Sequence, residues 1–142
     1  MHAVIQYMNE FDGVPLIYPP EPPTSPRSFG QTNGSITLTW GTPLPITNTG
    51  APTNYVIYRS TNGYGFGNPI SVGNVTNCTI TNLIAGTDYY FRICTANAGG
   101  ESFPSEVVGC RTPLYAGSPK VLFVNAYDRY DRTLNLKQDL VA

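Results

Sequence analysis

Leu83-Ile84-Ala85-Gly86-Thr87-Asp88-Tyr89-Tyr90-Phe91-Arg92-Ile93 sets a turn signal directly ahead of a run with a two-residue period. Tyr89, Phe91 and Ile93 fall on one side of that run, and Asp88, Tyr90 and Arg92 on the other. Side chains of a β-strand alternate between faces, so the spacing predicts a strand with one buried and one wet face.

Working outward, the same period recurs. Ile36-Thr37-Leu38-Thr39-Trp40 alternates apolar and polar, and so does Cys78-Thr79-Ile80. Tyr55-Val56-Ile57-Tyr58 is a continuous apolar run that suits a strand covered on both sides, or one with a partly exposed tyrosine face. Val107-Val108 with Cys110 and Thr112 reads as a last strand. Thr-Asn-Gly, Asn-Thr-Gly and Ala-Gly-Gly turn signals lie between these runs. Short strands with no helix between them predict an all-β antiparallel sandwich. Its expected core is Ile36, Leu38, Trp40, Tyr55, Ile57, Ile80, Leu83, Tyr89, Phe91 and Ile93.

Composition agrees and excludes several classes. The 142 residues include 14 Gly and 13 Pro, which favours turns over long helices. Charged residues make up 12%, about half the usual share, and the net charge of -1 gives no electrostatic case for nucleic acid or an anionic membrane surface. No apolar run is long enough to span a bilayer as a helix. The three cysteines form no Cys-x-x-Cys pair and there is one His, which argues against a zinc site. No metal or cofactor is expected. The first eight residues lack a basic region followed by a long apolar core. Read alone, that start fits a cytosolic chain; read as part of a longer one, it leaves export open.

Charge divides the chain into three zones. Residues 27–113 hold seven charges, and residues 120–142 hold seven in a quarter of that length. Residues 1–21 predict a short amphipathic helix, with Ala3, Val4, Tyr7, Met8 and Phe11 at helical spacing, followed by an extended proline-rich linker. Residues 22–113 are the sandwich. Residues 114–142 read as a linker and the start of a following domain, with a strand at Val121-Leu122-Phe123-Val124.

The middle zone resembles a fibronectin type III module. The likeness rests on Pro22-Pro23-Thr24-Ser25-Pro26, on Leu38-Thr39-Trp40, on Tyr55-Val56-Ile57 and on Asn97-Ala98-Gly99-Gly100-Glu101-Ser102 with Pro104-Ser105. Most of all it rests on Leu83–Tyr89, which looks like the family's Leu-x-Pro-Gly-Thr-x-Tyr corner with Ala85 in place of Pro. The resemblance implies an immunoglobulin-like Greek-key sandwich of seven strands, and a buried Tyr89 whose hydroxyl finds a backbone partner. Ile5–Leu16 is similar to the closing helix of a bacterial N-acetylmuramoyl-L-alanine amidase domain, and Val121–Arg129 to the first strand of xanthan-lyase-like proteins. Together these imply a non-catalytic spacer or interaction module in a secreted or cell-surface bacterial protein. Its partners would be neighbouring domains of the same polypeptide, or a polysaccharide or protein.

Four features are candidates for more than packing. Tyr64-Gly65-Phe66-Gly67 is an aromatic, glycine-rich loop following Thr61-Asn62-Gly63. It is either a platform that stacks on a sugar or partner protein, or a flap whose rings complete the core. Cys94 faces outward on its strand, and Cys110 lies on the strand antiparallel to it in this fold. The two form a cross-strand disulfide if the register allows, and Cys78 is an apolar filler. Asp128, Arg129, Asp131 and Arg132 are either a ligand-binding carboxylate pair at a strand end or a solvated charge cluster. Three Asn-x-Ser/Thr sequons stand at Asn33, Asn74 and Asn77. No catalytic triad, phosphate loop or other catalytic constellation is present in the sequence, so no enzyme activity is expected of this chain.

Overall fold

The computed structural model describes residues 17–31, 34–45, 49–115 and 117. These form two facing β-sheets with no helix among the described residues. The first sheet has the order β1-β2-β5, with β1 Thr24–Gln31, β2 Ser35–Gly41 and β5 Asn77–Ile80. The second runs β4-β3-β6, with β4 Gly67–Gly73, β3 Asn54–Ser60 and β6 Asp88–Asn97; β7 Gly100–Glu101 and β8 Val108–Arg111 share the far edge of β6. Every pairing of these strands is antiparallel, and β2→β3, β4→β5 and β5→β6 each cross from one sheet to the other.

Alternation puts one stripe of each strand into the space between the sheets. The buried cluster is Ile36, Leu38, Trp40, Tyr55, Ile57, Ile80, Leu83, Tyr89, Phe91 and Ile93, the ten residues expected from the sequence. Trp40 lies 5.4 Å from Tyr55, centroid to centroid, with the rings tilted at 50°. Tyr89 stacks on Phe91 at 6.4 Å and carries the Arg59 guanidinium over its ring at 5.7 Å. Its hydroxyl accepts a hydrogen bond from the Ile84 amide at 3.0 Å, which satisfies the buried phenol and pins the corner.

β7 and β8 are two pieces of one edge, with Ser102-Phe103-Pro104-Ser105 in the gap between them. Two serine hydroxyls keep that gap joined to β6. Ser102 N–H donates to the Thr95 carbonyl at 2.8 Å, and Thr95 N–H donates back to Ser102 Oγ at 3.0 Å. Ser105 and Ile93 repeat the exchange at 2.8 and 3.0 Å. Each hydroxyl stands in for a strand carbonyl, so the ladder tolerates Pro104, which has no N–H to give.

Two strands break the sequence expectation. β1 carries no alternation signal, because its apolar Phe29 faces solvent while Thr24, Pro26, Ser28 and Gly30 face in. β4 holds Pro69 and two glycines, and buries only Ile70 and Val72 against the core. The helix expected through Phe11, the strand at Val121–Val124 and the two flank resemblances lie outside the described residues.

Candidate functional site

Both ends of the packed unit are clamped by side chain–backbone hydrogen bonds. At the incoming end, Asn97 Nδ2 donates to the Tyr18 carbonyl at 2.9 Å and Thr95 Oγ1 donates to the Glu21 carbonyl at 2.6 Å. Pro20 and Pro23 are buried, and Tyr18 bridges to Thr49 in parallel. Gly99 explains how close the chains come: a Cβ there would stand 2.3 Å from the Ile17 carbonyl oxygen. The extended proline-rich linker expected up to residue 21 is docked on the sandwich from about Tyr18 onward. The docked prolines and Glu101–Pro104 enclose a groove of about 600 Å³, with Phe103 on its rim 85% exposed.

At the outgoing end, Thr112 is fully buried. Its hydroxyl donates to the Ile84 carbonyl at 2.6 Å and accepts from the Thr87 amide at 3.1 Å. Its backbone makes two further bonds of 3.0 Å, one with Gly86 and one with Thr87. Leu114 then lies over Gly86. The two clamps sit at opposite ends of β6. That strand has ten residues, so they are about 30 Å apart at about 3.3 Å per residue. Sequence reasoning misses Asn97, Thr95 and Thr112 in this role. The available signal is a buried-type position carrying a hydroxyl or amide at each end of an otherwise apolar strand pair.

The 61–67 loop is built on Asn62. Its Oδ1 accepts from the Tyr64 and Gly65 amides, each at 3.0 Å, and from Ser60 Oγ at 2.8 Å. Ser60 Oγ in turn accepts from the Asn62 and Gly63 amides. The loop splits its two rings. Tyr64 is 92% exposed, whereas Phe66 is half-buried with the Arg92 guanidinium 4.7 Å from its centroid. Arg92 also lies 5.3 Å from the Tyr58 ring, so it is held between two aromatics on the outer face of the sheet. Neither loop ring enters the core.

The structure does not bring Cys94 and Cys110 together; all three cysteines are free thiols. Cys110 pairs with Tyr89, and Cys94 with Val56. Cys110 thus shares the inner face with Tyr89, while Cys94 faces out, five residues along β6. Five residues of strand span roughly 16 Å, well past the limit of about 7 Å for a bridge. Burial raises the thiol pKa at all three positions, and at Cys94 burial with the nearby Glu101 carboxylate pushes it up to about 12. A thiol held protonated is a poor nucleophile at neutral pH. Cys78 packs against the core as an apolar filler. The Asp128–Arg132 cluster lies outside the described residues, and no group of His, Cys, Asp and Glu suited to a metal occurs among the described residues.

Residues 21–111 match the family model of the fibronectin type III domain. The chain is 36% identical over 119 residues to a Kelch domain-containing protein of Saccharolobus solfataricus, covering 83% of this chain and 15% of that protein. Among solved structures, it is similar to the twitchin kinase region of C. elegans, with a TM-score of 0.60 and 30% identity over 72% of this chain and 18% of that one. Titin domains A168–A170 give a TM-score of 0.57 and 28% identity over 66% of this chain and 32% of theirs. The chain thus spans a small part of each of these longer proteins.

Proposed function

This chain belongs to the fibronectin type III domain family, and on that footing we propose that it is a non-catalytic spacer holding neighbouring domains of a multidomain protein at a fixed separation. The observation that carries this reading is the pair of clamps. The chain is tied down where it arrives and again where it departs, about 30 Å away along β6. Clamped junctions transmit orientation, whereas flexible linkers lose it. A secreted or cell-surface setting, and a parent protein acting on bacterial cell wall or other polysaccharide, belong to the same proposal. They rest on the resemblance of the segments 5–16 and 121–129.

Gly99→Ala tests the incoming clamp without touching the core. The added methyl would overlap the Ile17 and Tyr18 backbone, so the leading segment must lift away. The Asn97 side-chain amide, which donates to the Tyr18 carbonyl, should then shift in NMR spectra and exchange faster with solvent, while the backbone amides of β2, β3 and β6 keep their protection. An unchanged Asn97 side-chain amide would show that the docking is incidental.

A second reading is favoured by Tyr64, an almost fully exposed ring on a turn held rigid by Asn62. Such a ring binds at low entropic cost, and the recognition of a polysaccharide or protein through this loop follows from it. Pull-down on insoluble polysaccharides should be weakened at least several-fold by Tyr64→Ala, and less by Phe66→Ala, whose ring is engaged with Arg92. Absence of binding by the unsubstituted chain would remove this reading and leave the spacer.

A further inference from the structure

We infer that Asn74 is an acceptor for N-linked oligosaccharide, and that the glycan shields the open side of the sandwich formed by the β4 and β5 edges. Three sequons occur, but the structure separates them. Asn74-Val75-Thr76 is the whole connector between β4 and β5, and all three residues are exposed. Gly73 enters it at a φ of 76°, and Val75 N–H turns back onto the Gly73 carbonyl at 3.1 Å. Asn74 and Thr76 both stand exposed on this turn, which the Trp40 N–H anchors to β2 through the Thr76 carbonyl at 3.0 Å. Asn77-Cys78-Thr79 instead lies within β5, in register with Thr39, Leu38 and Thr37. Its Thr79 hydroxyl is engaged with Thr37 Oγ1 at 3.0 Å. Asn33 lies outside the described residues.

A second observation says why a glycan would be useful there. Exposed sheet edges invite pairing with other chains, and proteins guard them with proline, charge, bulges or shortness. β1 carries Pro26 and a register shift, and Ser28 Oγ ties it to the Gly109 carbonyl of β8 at 2.9 Å. The β7–β8 edge is interrupted at Pro104, and β4 carries Pro69 and two register shifts. β5 has no charge, no proline and no register shift; its four-residue length is its only guard. A bulky hydrated group on the residue three positions before it supplies the missing one.

The chemistry is a glycosyl transfer. Asn74 Nδ2 attacks the anomeric carbon of a polyprenyl-pyrophosphate-linked oligosaccharide in the site of an oligosaccharyl transferase. The C–N bond forms, the C–O bond to the pyrophosphate breaks, the lipid pyrophosphate leaves, and one amide proton passes to solvent. In a cell this rests on the secreted or cell-surface setting proposed above. The test does not, so its failure leaves the spacer reading standing. The folded chain is incubated with a purified single-subunit transferase and lipid-linked oligosaccharide, and modified sites are mapped by mass spectrometry. A peptide of residues 71–80 serves as the control that the transferase is active on this sequence. The expected result is modification of the native chain at Asn74, abolished by Asn74→Gln. Asn77 should be modified at least ten-fold less until the chain is unfolded. A native chain left unmodified while the peptide is glycosylated, or one modified at Asn77 as readily as at Asn74, overturns the inference.

Discussion

Trp40→Ala should remove about 3–5 kcal/mol of stability, most or all of the margin of a domain this size. Trp40 is 5% exposed at the centre of the sandwich, and the indole separates β2 from Tyr55 on the opposing sheet. Alanine leaves a cavity that two hydrogen-bonded sheets cannot close by sliding together. Trp40→Phe should cost much less, about 1–2 kcal/mol, for a specific reason. The indole Nε1 is buried with no hydrogen-bond partner, and phenylalanine removes that unsatisfied donor while keeping a ring in the space. Urea unfolding followed by circular dichroism checks both, since Trp40 is the sole tryptophan and its fluorescence is lost with it. Equal losses for the two variants would show that the indole is matched to its site by more than volume.

Thr112→Val has the second-largest expected effect, a loss of about 2–4 kcal/mol. The side chains are near in size, so packing changes little. What changes is that the Ile84 carbonyl and the Thr87 amide lose the hydroxyl that serves both. Unpaired polar groups cost about 1–3 kcal/mol each when water cannot reach them. Tyr89→Phe removes the bond to the other side of the same residue, the Ile84 amide, and should cost about 1 kcal/mol. Because both side chains hold Ile84, the double variant should lose less than the sum of the two. Strict additivity in the same urea titrations would mean that the corner is not one unit.

The core is legible in the sequence because alternation reports directly on which face of a strand is buried. Ile36, Leu38 and Trp40, and again Tyr89, Phe91 and Ile93, leave little freedom once Trp40 must go inside. The same logic run backwards hides β1 and β4. In β1 the apolar side chain points out and the inner positions are small, because the edge packs close to β8 and a Cβ on Gly30 would stand 2.7 Å from the Arg111 carbonyl oxygen. The cysteine pairing fails on face as well as on register. Val108, Cys110 and Thr112 share one parity, and with Thr112 buried that parity is the inner one, opposite to Cys94. The clamps are invisible for another reason. They join Asn97 and Thr95 to a segment more than 70 residues earlier, and nothing local in a proline-rich stretch says that it docks.

A spacer must hold the chain arriving at its first clamp at a constant distance from the chain departing at its second. That distance can be read from spin labels attached through unnatural amino acids at positions 17 and 115, both exposed and just outside the clamps. Double electron–electron resonance on the full chain should give a single narrow peak at about 30–40 Å, set by the length of β6 plus the label arms. A broad or multiple distribution, of the kind a free linker gives at either end, would contradict the spacer role.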